Sequence, residues 1–330
     1  MSGSSMIGTN IEISVGGHSL AVPALDINGN TVVVTGRWLK IAFIHDEEWM
    51  EGELPDLDSY ISTVKEHNHK SLRADIFAVT QKLPDITPRY SYPMEWESVA
   101  AIRLSTYEEW WTNGISAKPR TDVRRSAKRG VITRVAEFDD DFVRGIVEIY
   151  NESPIRQGKA FWHYQKDFDT VKRENSTYLD RSVFIGAYYK DELIGFAKIV
   201  RIGKVADLMQ ILSKMSHYDK RPANALIAKA VEHCAREGMS YLTYGKYRNR
   251  NKVLSSLGRF KHRVGFEEVR VPRFYVPLTT KGRICVALGL HRDLVEALPE
   301  WLVDFIYRLR AMRGRWRIRA SRYSDPEHEG

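Results

Sequence analysis

The chain has 330 residues and a formal net charge of +8, with 43% hydrophobic and 28% charged residues. This composition is ordinary for a globular protein and allows two domains, each with its own core. No apolar run approaches the ~18 residues of a membrane-spanning helix, and the start lacks a basic segment followed by an apolar core, so we expect no secretory signal.

The only cysteines, Cys234 and Cys285, lie among apolar neighbours. Two cysteines make a disulfide framework improbable, and neither has the companions that a structural zinc site needs. We therefore expect a cytoplasmic protein without a metal.

The first hundred residues alternate apolar and polar positions between Gly-Gly and Asn-Gly turns, which predicts strands. A helix is expected from about 56 to 70, and 74–84 fits either a helix or a strand. The pattern changes near Ser105. We therefore expect residues 1–104 to form a β-rich region, followed by a domain over 105–280 and a helical tail over 281–330.

Residues 105–280 predict an alternation of helices and strands. Helices ending at Gly130 are followed by a strand and by helices near 139–152 and 166–178. A hairpin turning at 190–192 and a third strand come next. A central helix then begins at Pro222, and a strand, a helix and a last hairpin complete the order.

The central helix begins with two positive charges, Lys220 and Arg221, at the end where the backbone dipole favours negative ones. Each is disfavoured there by ~0.3–1 kcal/mol. An anion docked at the helix start would reverse that sign. Two solvated cations beside a proline are the alternative interpretation.

Basic residues concentrate in two further segments. Residues 308–322 contain seven arginines and no acid, and 118–130 contain six Lys or Arg against one Asp. Such clusters attract the phosphates of nucleic acid, lipid or a cofactor. The C-terminal tail either lies peripherally on an anionic membrane, at its inner face, or docks on its own protein.

Three stretches, TYEEWW…KPRTDVRRSAKRGVITRV, ANALIAKAVEHCAREGMSYLTYG and LGRFKHRVGF, carry a resemblance to the GCN5-related acyltransferase (GNAT) superfamily. Within it the chain is most similar to the Fem-type peptidyl transferases. The resemblance implies an α/β fold, a mixed sheet flanked by helices, over about 105–278. Residues 1–104 are then a degenerate first copy, since Fem-type proteins carry two, or an unrelated module.

In acetyl-CoA users of this superfamily, backbone N–H groups before the central helix hold the pyrophosphate. The resemblance implies donor contacts from Met215, Lys220, Arg221, Ala223, Asn224 and Ala225. Ala223 stands where a glycine is usual, and Pro222 removes one N–H donor. Many Fem-type enzymes use aminoacyl-tRNA, so acyl-CoA and tRNA both remain open as donors.

Acyl transfer to an amine of pKa ~10.4 needs the neutral amine, which costs about 4.6 kcal/mol at pH 7. The resemblance implies a base on the third or fourth strand, where Asp207 is the carboxylate. His217 and Tyr244 are further acid or base candidates. The segment that borders the acceptor site in this fold contributes Arg156, Gln157, Trp162 and His163, while Lys261 replaces a tyrosine common in acetyltransferases.

We therefore expect an N-acyltransferase that moves an acyl group, from acetyl-CoA or another acyl-CoA, to an amine acceptor. An amino sugar or a cell-envelope or polysaccharide precursor is the expected acceptor. One alternative is a Fem-type transferase that depends on aminoacyl-tRNA. The other is a non-catalytic module of the same fold that binds RNA or anionic lipid through its basic faces.

Overall fold

The computed structural model describes residues 9–15, 18–54, 56–68, 72–248 and 256–292. The strands are β1 Thr9–Val15, β2 His18–Ile27, β3 Asn30–Thr35, β4 Ile41–Ile44, β5 Ile76–Thr80, β6 Met94–Arg103, β7 Ile132–Ala136, β8 Ile155–Arg156, β9 Lys159–Ala160, β10 Ser182–Tyr189, β11 Glu192–Ile202, β12 Val205–Ser213, β13 Tyr241–Lys246 and β14 Glu267–Pro277.

Helices and shorter helical turns connect these strands. The α-helices are α1 Leu57–His67, α2 Tyr107–Glu109, α3 Ala117–Lys128, α4 Asp140–Asn151, α5 Phe168–Asn175, α6 Pro222–Arg236, α7 Ser256–Arg263 and α8 Thr280–Ala287. A π-turn covers Trp110–Gly114, and 3₁₀ turns cover Glu47–Trp49, Leu179–Arg181 and Met215–Lys220.

Twelve of the described strands form one mixed sheet in the order β1-β2-β3-β4-β5-β14-β6-β13-β12-β11-β10-β7. At its centre β6 pairs antiparallel with both β13 and β14, and β14 also pairs antiparallel with β5. Strands from before and after Ser105 therefore alternate there. The predicted boundary at residue 104 lies directly after β6, and the division into domains stays a prediction.

The hairpin predicted after α7 is wrong. Residues 267–277 form the single strand β14, whose neighbours β5 and β6 both come from before Ser105. The hairpin predicted at 190–192 does form: Lys190 and Asp191 have φ of 51° and 63°, the left-handed conformation that a tight two-residue turn requires.

Helices cover both faces of the sheet. Ala197 and Ile199 pack in a buried cluster with residues of α6, whereas Phe196 packs in a separate cluster with residues of α4. Successive residues of a strand point to opposite faces, so α6 and α4 lie on opposite sides of β11. A third buried cluster joins α1 to strands β2 to β5 and to β14.

Strands β12 and β13 pair in parallel over only three residues. Val205, Ala206 and Asp207 face Tyr241, Leu242 and Thr243, and no ladder pair joins the two described strands beyond Asp207 and Thr243. The hydrogen-bonded ladder between the two strands therefore ends there. We call the region between β12 and β13 beyond this last pair, where the strands separate in the ladder, the wedge.

The buried carboxylate of Asp75 fastens α8 to the sheet. It accepts hydrogen bonds from the Lys40 N–H, the Thr279 hydroxyl and the Lys281 ammonium, each at 3.0 Å. A Cβ built on Gly282 in the first turn of α8 would collide with the Asp75 carbonyl oxygen. The helix therefore approaches the sheet at a distance that only glycine allows.

Gly282→Ala should lower the free energy of unfolding by ~1–3 kcal/mol, because α8 must move away from Asp75. Helix propensity alone predicts the opposite, a gain of ~1 kcal/mol. Urea denaturation measures the difference, with Thr280→Ala at the exposed start of α8 as control. A stability equal to or above that of the wild type would contradict the close approach.

Candidate functional site

Asp207 lies at the point where β12 and β13 begin to separate. Its Oδ2 accepts a hydrogen bond of 2.6 Å from the hydroxyl of Thr243 on β13. Burial raises the pKa of Asp207 to about 6, although the Thr243 hydrogen bond and the Lys261 charge act in the opposite direction. A carboxylate that titrates near neutrality can accept a proton from a bound amine.

Lys261 of α7 extends its amine into the same region. The side chain is 4% exposed, and its ammonium donates to the carbonyl oxygens of Tyr244 and Lys246. It lies 4.2 Å from the centroid of the Tyr244 ring. Burial lowers the pKa of Lys261 to about 8, against the opposing effect of Asp207.

Tyr244 completes this cluster. Burial, with the Asp207 carboxylate adding to it, raises the pKa of Tyr244 to about 12, so the phenol keeps its proton. The structure thus brings two of the predicted catalytic residues, Asp207 and Tyr244, together with Lys261 and Thr243. The sequence marked Lys261 only as a departure from a tyrosine, yet its place in LGRFKHRVGF was a usable signal.

The N-terminal part of the chain reaches this cluster through the 3₁₀ turn Glu47–Trp49. The Glu48 charge adds to the rise in the pKa of Asp207. The same turn meets the turn Leu179–Arg181: the Tyr178 hydroxyl donates to Asp46 over 2.8 Å, and Arg181 donates to the Trp49 carbonyl oxygen over 2.6 Å. The candidate site therefore lies where the two parts of the chain, the residues before Ser105 and the residues after it, meet.

Paired charges lie on the strands beside this meeting point. The Oε2 of Glu97 on β6 is 3.2 Å from a guanidinium nitrogen of Arg273 on β14, and its Oε1 is 2.6 Å from the ammonium of Lys246 on β13. Burial acts to raise the pKa of Glu97, but the two cations outweigh it and hold the pKa below its usual range. Burial raises the pKa of Glu47, which accepts from the Thr80 N–H at 2.7 Å, to about 7.

A carboxylate of the chain itself occupies the start of the predicted donor loop. Glu152, just after α4, accepts hydrogen bonds from the N–H groups of Met215 and Ser216, the latter at 2.8 Å, and from the Ser216 hydroxyl at 2.7 Å. Burial acts to raise the pKa of Glu152, but these hydrogen bonds together outweigh it and lower the pKa. An anion therefore already binds the backbone donor that the resemblance assigns to acyl-CoA at Met215.

The two cations at the start of α6 also have partners inside the chain. The Nε of Arg221 lies 3.6 Å from Asp122 on α3, and the Lys220 ammonium lies 4.6 Å from the centroid of the Tyr189 ring and 3.5 Å from Asp219. Arg221 itself adopts a left-handed conformation, with φ of 58°. Lys220 and Arg221, whose charges suggested a bound anion at the helix start, thus face carboxylates of the protein itself.

These contacts fit the pyrophosphate of coenzyme A poorly. Pro222 has no N–H, and the N–H groups of Asn224 and Ala225 point to the Arg221 carbonyl oxygen at 3.2 and 3.4 Å. Ala223 keeps a methyl group where a glycine is usual. The assignment of this loop to an acyl donor stays a prediction.

His217 lies apart from the other predicted catalytic residues. Its Nε2 is 3.7 Å from Glu192, and its ring packs against Tyr189 at the hairpin of β10 and β11. The strand from Asp207 to Ser213 alone spans ~20 Å. The structure does not join His217 to Asp207 and Tyr244.

The predicted acceptor-binding residues divide into two groups. Arg156 is buried and donates to the carbonyl oxygens of Ser213 at 2.8 Å and Ile149 at 2.6 Å. His163 is also buried, 3.2 Å from the Gln210 amide, and burial lowers its pKa to about 3, so it is neutral. These two side chains hold the hairpin of β8 and β9 against the sheet. Gln157, at the turn of this hairpin, and Trp162 face outward, and Trp162 is 64% exposed.

Within the described ranges, no group of three or more His, Cys, Asp or Glu side chains could hold a metal ion. None of the helices in those ranges combines the length and apolar character needed to cross a membrane.

No family model matches the chain, and no curated protein matches it. Among solved structures, FemX aligns with a TM-score of 0.56 at 10% identity, over 84% of this chain and 90% of FemX. The C-terminal DUF2156 domain of a "Putative Lysylphosphatidylglycerol Synthetase" from Agrobacterium fabrum aligns with a TM-score of 0.51 at 16% identity, over 79% of this chain and 84% of that one.

A protein of unknown function from Bacteroides thetaiotaomicron aligns with a TM-score of 0.51 at 9% identity, over 78% of this chain and 86% of that one. At such identities a structural likeness shows the fold alone. The chain has a GNAT-like fold of the Fem type, which confirms the predicted mixed sheet flanked by helices and the resemblance. The part of the predicted helical, arginine-rich tail that follows Arg292 lies outside the described residues.

The raised pKa of Asp207 makes a prediction about stability. The folded pKa of about 6 lies above the usual 3.8, so the stability that this group contributes is complete below pH 3.8 and is lost as pH rises through 6. Relative to Asp207→Asn, the wild type should therefore lose on the order of 2–3 kcal/mol between pH 4 and 7.

Urea denaturation at both pH values measures this difference. Asp141→Asn, at an exposed aspartate in the first turn of α4, is the matched control and should follow the wild type. Parallel pH curves for the wild type and Asp207→Asn would contradict the assigned environment of Asp207.

Proposed function

We propose that this protein is an N-acyltransferase that moves an acyl group from an activated ester to an amine. The observation that carries the proposal is the cluster of Asp207, Thr243, Tyr244 and Lys261 at the point where β12 and β13 separate. A base of near-neutral pKa and a buried ammonium interact there through their charges. The fold shared with FemX agrees with the Fem-type resemblance of the sequence, which implies the same class of activity.

Asp207 is the general base in this proposal. It takes a proton from the acceptor ammonium, and the neutral amine attacks the ester carbonyl carbon to form a C–N bond. The C–O bond to the leaving alcohol then breaks, and the alcohol leaves with a proton. The products are an amide, an alcohol and one proton released to solvent when Asp207 ionises again, so that charge and atoms balance.

The negative charge on the carbonyl oxygen needs stabilisation in the tetrahedral intermediate. Backbone N–H groups on the β13 side of β12 have no strand partner in the described wedge beyond Asp207. We assign the oxyanion to these groups, assisted by the Lys261 ammonium. Since Lys261 also donates to two carbonyl oxygens of β13, its position is fixed before the substrate arrives.

The donor we favour is an aminoacyl ester of tRNA. Glu152 occupies the Met215 N–H, the backbone donor that the resemblance assigns to acyl-CoA. Helix α3 packs beside α6 and exposes Arg124, Arg125 and Lys128 to contact phosphates, whereas Arg129 just after it pairs with Asp219 at 2.9 Å. The second structural relative is a domain of a "Putative Lysylphosphatidylglycerol Synthetase", a name that denotes the joining of a lysyl group to a lipid.

Acyl-CoA is the second candidate donor, and the wedge between β12 and β13 favours it because a pantetheine arm could lie between the separated strands. We place the acceptor amine, on an amino sugar or an envelope precursor, where the two parts of the chain meet. Glu47, Glu97, Lys246 and Arg273 there offer charges of both signs.

Asp207→Asn should lower the rate of acyl transfer about 10²–10⁴-fold, because it removes the base. Lys261→Met should lower kcat with a smaller effect on KM, because the proposed contact strengthens only as the oxyanion forms. The assay follows a radiolabelled acyl group transferred to amines and amino sugars. Asp141→Asn should leave the rate unchanged, and an unchanged rate for Asp207→Asn would remove it from the mechanism.

Calorimetric titration distinguishes the donors. We expect no micromolar binding specific to acetyl-CoA, with 3′-dephospho-CoA and ATP as charge controls, and salt-dependent binding of an aminoacylated RNA minihelix. Micromolar binding of acetyl-CoA that ATP does not match would overturn the choice of tRNA and leave the acyltransferase proposal intact. RNA binding without turnover in any acceptor screen would instead indicate a non-catalytic module.

A further inference from the structure

Helix α8 presents an apolar face that the described part of the chain leaves uncovered. Ile284 and Leu288 are 54% and 68% exposed, and Leu290 just beyond the helix is 47% exposed. Residues four apart share one face of a helix, so Ile284 and Leu288 form a continuous strip. Trp38, 62% exposed, lies beside α8 on the side of Lys281, whose ammonium is 5.0 Å from the centroid of the Trp38 ring.

The charges around this strip are positive. Lys281 and Arg283 flank it on α8, and Arg37 precedes Trp38 in the turn between β3 and β4. Neither α8 nor residues 36–40 contain an acidic residue. The buried Asp75 and the partly buried Glu95 already pair with Lys281 and with Arg292. The surface therefore combines apolar side chains with cations.

The sequence that follows has the complementary character. The described chain ends at Arg292, which lies beside Glu95 at 2.5 Å, only four residues after Leu288. Residues 293–307, DLVEALPEWLVDFIY, contain four acidic residues and no Lys or Arg, with apolar residues at helical spacing. The arginine-rich stretch begins only at Arg308.

We propose that residues 293–307 fold back and cover the apolar strip of α8 and Trp38. A short connection after α8 favours an antiparallel helix pair. The apolar side chains of the segment would pack on Ile284 and Leu288, and its acids would face Arg37 and Arg283. An anionic lipid surface, the competing occupant, would be repelled by the four acids that directly follow the strip.

Hydrogen–deuterium exchange of the full chain tests the proposal. Amides of residues 293–307 should exchange at least tenfold more slowly than an unstructured chain in the absence of lipid. Leu288→Glu should abolish this protection, while Leu20→Glu, at a leucine of 48% exposure on β2, should leave it unchanged. Protection that Leu288→Glu does not alter would overturn the proposal.

Charge reversal provides the second test. Arg283→Glu should speed exchange in 293–307 at least threefold, and adding Glu296→Arg and Glu300→Arg should restore protection. Fast exchange in the wild type without lipid would overturn the proposal. If phosphatidylglycerol vesicles then float the wild type and not Leu288→Glu, the strip binds lipid instead.

Discussion

The short pairing of β12 with β13 is the constraint on which the rest of the site depends. Because the ladder ends at Asp207 and Thr243, the carboxylate lies at the apex of the wedge instead of inside a closed sheet. The same divergence leaves the carbonyl oxygens of Tyr244 and Lys246 to accept from Lys261. Burial then moves both pKa values toward neutrality, from opposite directions.

The loop that the resemblance assigns to the acyl donor shows how a protein can pair exposed N–H groups and cations with its own carboxylates. Glu152, Asp122 and Asp219 bind the N–H groups and cations that a phosphate would otherwise contact. Backbone N–H groups at a turn require a hydrogen-bond acceptor. A carboxylate from a neighbouring element can accept these bonds just as a bound anion would. Two proteins that share a fold therefore need not share a cofactor.

Much of the fold was predictable from the sequence, and less of the site. Pro222 and the periodicity after it predicted α6, and Asp207 stood out as the one carboxylate on its strand. Lys261 was missed as a site residue because a lysine on a helix normally faces solvent. Glu152 could not be recognised, since nothing local indicates that it meets a loop more than sixty residues later. The sequence also could not predict that β14 lies between β5 and β6 in the sheet. Local patterns predict strands but not which strands become neighbours.

The central position of β6 affects how the protein is made. This strand is synthesised early, yet both of its partners in the sheet come more than 130 residues later, so its backbone groups lack their final ladder until β14 has left the ribosome. Contacts this distant in sequence slow folding, since a long loop must close before they form. A nascent chain ending before residue 267 therefore exposes two strand edges, at β5 and β6, which invite pairing with other chains.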